Sequence, residues 1–222
     1  EEKGVGLDYW SNIGGRAVRG LTRHTRFPSD SDKSELVFEI DFVNTKGDKY
    51  AQRIRAYFQV PESGDYQFWV SADESAELWL STNELPENRR LIALVNKPSG
   101  YKVWDKYRSQ KSKLIHLEGN QRYFMEILHK ENKDDDYLTV AWNGVGDSLR
   151  TLSSENLSFY QSDEFRNVDF QQAYHVGYQA GSHLVPYTEG LSSLDSDQDG
   201  LPDFYENLIG TDSTDGDDAL RD

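Results

Sequence analysis

Gln52-Arg53-Ile54-Arg55-Ala56-Tyr57-Phe58-Gln59-Val60, the turn Pro61-Glu62-Ser63-Gly64-Asp65, and Tyr66-Gln67-Phe68-Trp69-Val70 form the stretch that decides the fold. Successive side chains of a strand point to opposite faces, so a period of two puts Ile54, Ala56, Phe58 and Val60 on one side. Tyr66, Phe68 and Val70 share a face in the second run. The Pro, Ser, Gly and Asp between the runs supply preset and permissive backbone angles, which is turn chemistry. The segment therefore predicts two half-buried strands joined by a turn.

Outward from this pair, further strands are expected at Leu36–Val43, Ala76–Ser81, Arg90–Leu94, Lys113–Leu117, Arg122–His129, Tyr137–Trp142 and Asn156–Phe159. Short strands separated by turns, with almost no helical periodicity and no internal repeat, indicate an all-β chain folded as an antiparallel sandwich or barrel. The expected organisation is a β domain over 1–160, a linker or packing segment over 161–194, and an acidic tail over 195–222. Gly177, Gly181, Pro186 and Gly190 mark the middle segment, and Phe165, Phe170, Tyr174, Tyr178 and Tyr187 give it apolar surface to pack.

With 222 residues, 13% of them aromatic, the chain can build a sizeable core. No run of about eighteen apolar residues is present, so no membrane-spanning helix is expected. Glu1-Glu2-Lys3-Gly4 does not read as a signal peptide. The formal net charge is −15. Eleven acidic residues against one arginine between Glu189 and Asp222 carry −10 of it, leaving −5 on the other 188 residues. That balance argues against a nucleic-acid partner, which requires clustered Lys and Arg. The absence of cysteine excludes disulfides and thiolate chemistry.

The strongest local signal is Asp195-Ser196-Asp197-Gln198-Asp199-Gly200-Leu201-Pro202-Asp203-Phe204-Tyr205-Glu206. Asp195, Asp197 and Asp199 stand at positions one, three and five of a twelve-residue calcium loop. Gly200 falls at the sharp turn, Leu201 offers its carbonyl, Asp203 sits at position nine, and Glu206 is the bidentate ligand at twelve. Without a cation these carboxylates repel one another across a few ångströms. The plain alternative is a solvated acidic linker. Together with Gly210-Thr211-Asp212 and Asp215-Gly216-Asp217-Asp218, the tail resembles the thrombospondin type 3 repeats of bacterial secreted proteins, which implies a calcium-stiffened spacer. Its end at Asp222, within what reads as a second repeat, gives the expectation of a longer parent protein.

Several segments of 1–160 resemble the protective-antigen-type (PA-14) β-barrel domain. They are Tyr9-Trp10 with Ile13-Gly14-Gly15, the Gln52–Tyr57 and Gly64–Trp69 hairpin, Asp73–Ser81, and Leu128–Glu131 with Tyr137–Trp142. The resemblance implies a module found in adhesins, glycosidases, toxins and flocculins, several of whose members are calcium-dependent lectins. In those lectins an Asp-Asp pair joined by a cis peptide holds calcium, and a loop before the Trp strand completes the site. The matching positions are Asp73-Glu74 and Asn132-Lys133-Asp134-Asp135-Asp136. This chain departs in having Glu74, one methylene longer than Asp, and a charged loop where the family's is rich in glycine. The resemblance thus implies metal ligands among Asp73, Glu74, Asp135 and Asp136. It implies glycan contacts from Asp73, Glu74, Asp134 and Asp135, and Trp104 is added as an aromatic able to stack on a sugar ring.

Each of these residues has a plainer reading. Asp73 and Glu74 can be polar residues ending a strand, and Asp134–Asp136 a solvated loop. Trp104 can be a loop anchor, Trp69 and Trp79 structural, and His129 a structural hydrogen-bonding group. No nucleophile elbow, P-loop, dinucleotide fingerprint or His-Glu-x-x-His motif is present. The expectation is therefore a non-catalytic, monomeric, calcium-dependent lectin-like module of a secreted or cell-surface bacterial protein such as an adhesin. The competing readings are a calcium-stiffened spacer or assembly module and the accessory domain of a carbohydrate-active enzyme.

Overall fold

The fold is described from a computed structural model, over residues 4–43, 47–133, 135–144 and 146–160. The expected linker 161–194, the repeat 195–222 and Asp134 lie outside the described residues.

Two antiparallel sheets face each other. The first has the order β2 (Lys33–Val37), β1 (Val5–Trp10), β4 (Tyr50–Gln59), β9 (Arg122–Glu131), β6 (Ser75–Leu80), β7 (Arg90–Val95), with β12 (Leu157–Phe159) also paired to β4. The second has the order β11 (Arg150–Thr151), β10 (Tyr137–Gly144), β5 (Gly64–Ala72), β8 (Ile115–Leu117), with β3 (Asp41–Val43) paired to β10. The chain is an antiparallel β-sandwich.

The period-two reading holds at the centre. Ile54, Ala56, Phe58 and Val60 from one sheet, and Phe68, Val70, Val140 and Trp142 from the other, are all at most 1% exposed and form one core. Phe58 meets Phe68 at 5.2 Å and Trp142 at 5.1 Å between ring centroids, both edge-on, the arrangement that aromatic quadrupoles favour. The opposite face of β4 is covered as well. Trp10, Ile13, Val18, Leu21, Ala51 and Leu128 make a second cluster beneath α1 (Arg19–Thr22). There Arg53 lies between Trp10 and Phe27 and bonds Asp8 at 2.8 Å.

The stretch Leu36–Val43 is not one strand. Its first part belongs to β2 in one sheet and its last part is β3 in the other. The chain crosses between the sheets at Phe38–Ile40, where buried Ile40 donates its N–H to Leu152 O and accepts from Val140 N–H. Pairing partners decided this, because nothing in the local sequence breaks the strand.

A buried carboxylate cluster at two sheet-crossing corners

The same crossing happens twice more, side by side. Strand β5 ends at Ala72 and β6 begins at Ser75, so Asp73 and Glu74 alone carry the chain from one sheet to the other. Strand β9 ends at Glu131 and β10 begins at Tyr137, so 132–136 makes the second crossing. Register forces the corners together, since Ser75 pairs with Lys130 and Ala72 with Leu138. The Asp73 N–H then donates to Tyr137 O at 2.9 Å. The start of β4 completes the corner, with Tyr50 opposite Glu131 and Lys49 N–H on Asn132 O at 3.0 Å.

Along β4 and β9 the inward-facing residues change from apolar to polar as they approach this end. Ile54 opposite Ile127 is followed by Gln52 opposite His129 and then by Tyr50 opposite Glu131. All six are at most 1% exposed. His129 Nε2 lies 3.0 Å from Asp73 O, and a carbonyl only accepts, so Nε2 carries the proton. Nδ1 is then the acceptor for the Gln52 amide at 3.1 Å. Burial pushes the imidazole down to about 4, which keeps it neutral. His129 thus fixes the backbone of the acidic corner.

Asp73, Glu74, Glu131 and Asp136 are 5%, 4%, 0% and 2% exposed, four carboxylates where water cannot solvate them. Asp136 accepts from the Tyr50 hydroxyl. Asp73 Oδ1 accepts from the Glu74 N–H at 2.9 Å, and Glu74 meets exposed Arg16 at 3.4 Å. Glu131 differs from the rest: the Asn132 N–H lies near it, but neither of its carboxylate oxygens has a well-aligned hydrogen bond among the described residues. Burial, then the charge of Asp73, pushes its carboxyl up to about 8, with Asp136 and Glu74 adding to the rise and the Asn132 amide opposing it. Buried Lys130 donates to Glu131 O, and burial lowers its ammonium to about 8 against the pull of Glu131 and Glu74.

The structure brings together Asp73, Glu74 and Asp136, leaves Asp135 exposed, and puts Trp104 elsewhere. Trp104 lines a separate cleft whose walls include none of the four carboxylates. The cis peptide that the family resemblance implies at Asp73-Glu74 is not found. Among the described residues the cis bond is Phe27–Pro28, and Glu74 makes the corner with φ +60° instead. At this two-residue crossing it is Glu74 that takes the left-handed conformation. Glu131 is missing from the sequence expectation, although its signal is in the alternation: it shares the inward face of Met125 and Ile127. As they stand, no three His, Asp or Glu side chains among the described residues enclose a point at metal distance. The carboxylate donors gathered here are nonetheless hard oxygens, the type calcium takes.

No helix among the described residues is long and apolar enough to cross a membrane. Comparison with known proteins places the fold. The PA14 sugar-binding domain from an RTX adhesin superposes with a TM-score of 0.57 at 15% identity, covering 72% of this chain and 100% of that one. The PA14 domain of the antifreeze protein MpAFP gives 0.56 at 13% identity, covering 72% and 92%. Among curated proteins, mouse (Mus musculus) N-acetyl-beta-glucosaminyl-glycoprotein 4-beta-N-acetylgalactosaminyltransferase 1 is 31% identical over 187 residues. That match covers 81% of this chain but only 18% of the transferase. The PA14 domain family model matches residues 24–155, more than half of the sequence, so the chain belongs to the PA14 domain family.

Proposed function

We propose that the β-sandwich is a calcium-dependent glycan-binding module of a secreted or cell-surface protein. The observation that carries this reading is Glu131, a fully buried carboxylate with neither oxygen in a well-aligned hydrogen bond, set beside Asp73 and Asp136 at the meeting of two sheet-crossing corners. A divalent ion removes the repulsion that otherwise keeps such a group protonated. Asp73, Asp136 and Glu131 hold the ion from within. Glu74 and Asp135 flank them and leave calcium's remaining positions open to vicinal sugar hydroxyls, and Asp134, outside the described residues, is a further candidate contact. The shared fold with a PA14 domain described as sugar-binding supports the glycan. In the same proposal Asp195, Asp197, Asp199, Leu201, Asp203 and Glu206 bind a second calcium that stiffens the tail.

A second reading is favoured by one finding, the 31% identity to a transferase that acts, by its name, on glycoprotein glycans. In that reading the module is the accessory domain of a carbohydrate-active enzyme, and the glycan it holds is the enzyme's own acceptor.

The test is a glycan array on the purified chain, in millimolar calcium and again in EDTA, repeated with Asp73→Asn. Retention that needs calcium and disappears in the variant is the expected result. Retention unchanged by both treatments sinks the proposal. A blank array on which calcium still raises the melting temperature moves the function to a structural spacer.

A further inference from the structure

A second candidate site lies in the loop between β7 and β8. Trp69, Trp104 and Tyr107, with Lys102, Arg108 and Lys111, line an open cleft of about 620 Å³. Trp69 projects from the outer face of β5, since its neighbours Phe68 and Val70 point into the core. The loop is held against that face by buried polar groups. Gln110 is 0% exposed and donates to Val70 O at 3.0 Å and to Val103 O at 2.6 Å, while its Oε1 accepts from Tyr107 N–H at 2.8 Å. Ser112 exchanges bonds with Phe68, its N–H to Phe68 O at 2.9 Å and Phe68 N–H to its Oγ at 3.0 Å. Gly100, with φ +97°, and Ser71 Oγ on Lys102 N–H set the near end. The walls are therefore fixed in place before any ligand arrives, which lowers the ordering cost of binding.

The charge here runs against that of the molecule. From Lys102 to Lys113 there are five cations and one carboxylate, in a chain of net charge −15. Lys102 is paired with Asp41 at 2.7 Å. Arg108 and Lys111 have no carboxylate partner among the described residues; Lys111 lies 5.0 Å over the Trp69 ring instead. We infer that this cleft binds a short acidic saccharide, its ring stacked on Trp104 and its anionic groups held by Arg108 and Lys111. Indole faces take up the C–H face of a sugar, and a guanidinium forks onto a carboxylate or a sulfate. Asp105 in the same wall is placed to accept from sugar hydroxyls, groups that a glutamate peptide does not carry. A cleft of about 620 Å³ holds only a few sugar units, so the ligand is short.

This inference goes beyond the calcium site and does not depend on it. The test titrates the full chain in EDTA, by calorimetry and tryptophan fluorescence, with four probes. They are tetragalacturonate, its methyl ester, a sulfated chondroitin tetrasaccharide and tetraglutamate. Expected are binding of at least one acidic saccharide and a loss of tenfold or more for the methyl ester if the uronate is the ligand. Trp104→Ala and the exposed-residue variant Arg108→Gln should each weaken binding at least fivefold, and rising salt should weaken it further. Which acidic saccharide binds tells carboxylate from sulfate. Asp73→Asn should leave this binding intact, so a failed calcium site and a failed cleft are read separately. The inference is overturned if neither acidic saccharide binds, if tetraglutamate binds equally well, or if Arg108→Gln and Trp104→Ala both leave affinity unchanged.

Discussion

The carboxyl of Glu131 titrates near 8 in the fold and near 4.5 when exposed, so between those values the folded chain holds a proton that the unfolded chain has lost. Stability then falls as pH rises through that window and is lowest above it. His129 acts in the opposite sense, because its imidazole is pushed down to about 4, but its effect ends near 6.5. From pH 6.5 to 8 His129 no longer opposes Glu131, while Lys130, its ammonium lowered to about 8, begins to oppose it at the top of the range, and the calcium-free chain should lose about 1 kcal/mol, given about 1.4 kcal/mol per pH unit per proton. Urea unfolding in EDTA across this range measures it. Glu131→Gln should flatten the dependence, raise stability at pH 8, and remove much of the stabilisation that calcium gives the wild type. An equally flat wild-type profile means that Glu131 is ionised and solvated, which removes the basis for the buried cation.

At the scale of elements, the corner between β5 and β6 concentrates the chemistry because it is only two residues long. Glu74 sits at φ +60°, where a Cβ is disfavoured by roughly 1 kcal/mol and glycine is not. Glu74→Gly and Glu74→Ala both remove the carboxylate and the ion pair to Arg16, so their difference isolates the backbone. In EDTA the Gly variant should be more stable than the Ala variant by about 1 kcal/mol, read as a shift of the urea midpoint at unchanged slope. Equal stabilities mean that the corner relaxes out of the left-handed region. Strands β4 and β5 were legible in the sequence because a period of two survives any change of partner. The split of Leu36–Val43 was not legible, since only pairing with β1 and β10 divides it. The four-residue helix Arg19–Thr22 is too short to show a period. Asp73, Glu74 and Asp136 came from the family resemblance. Glu131, Gln52 and Tyr50 share the inward alternation of their strands but were passed over, because polar residues in strands default to the solvent face and only pairing and burial show that these stay inside.

For the whole molecule, charge separates two candidate calcium sites of different kind. The corner cluster joins the two sheets of the sandwich, so an ion bound there, as proposed, is coupled to the packing of the fold. The proposed twelve-residue loop beginning at Asp195, outside the described residues, draws all its ligands from one segment of sequence. The two proposed ligand sets share no residue, so substitutions in one leave the other's ligands in place. Calcium titration by calorimetry should give at least two binding events in the wild type. Asp197→Asn with Asp199→Asn should remove one event and leave calcium-dependent glycan retention within about twofold. Asp73→Asn should remove the other, abolish retention, and raise hydrogen exchange at 72–76 and 130–138, where calcium otherwise holds both crossings closed. If the tail variant also abolishes retention, the glycan site is not confined to the corner and the division between ligand-facing and stiffening calcium fails. If Asp73→Asn keeps both events, calcium is bound elsewhere, and the buried carboxylates are a strained structural feature that protonation, rather than a metal, relieves.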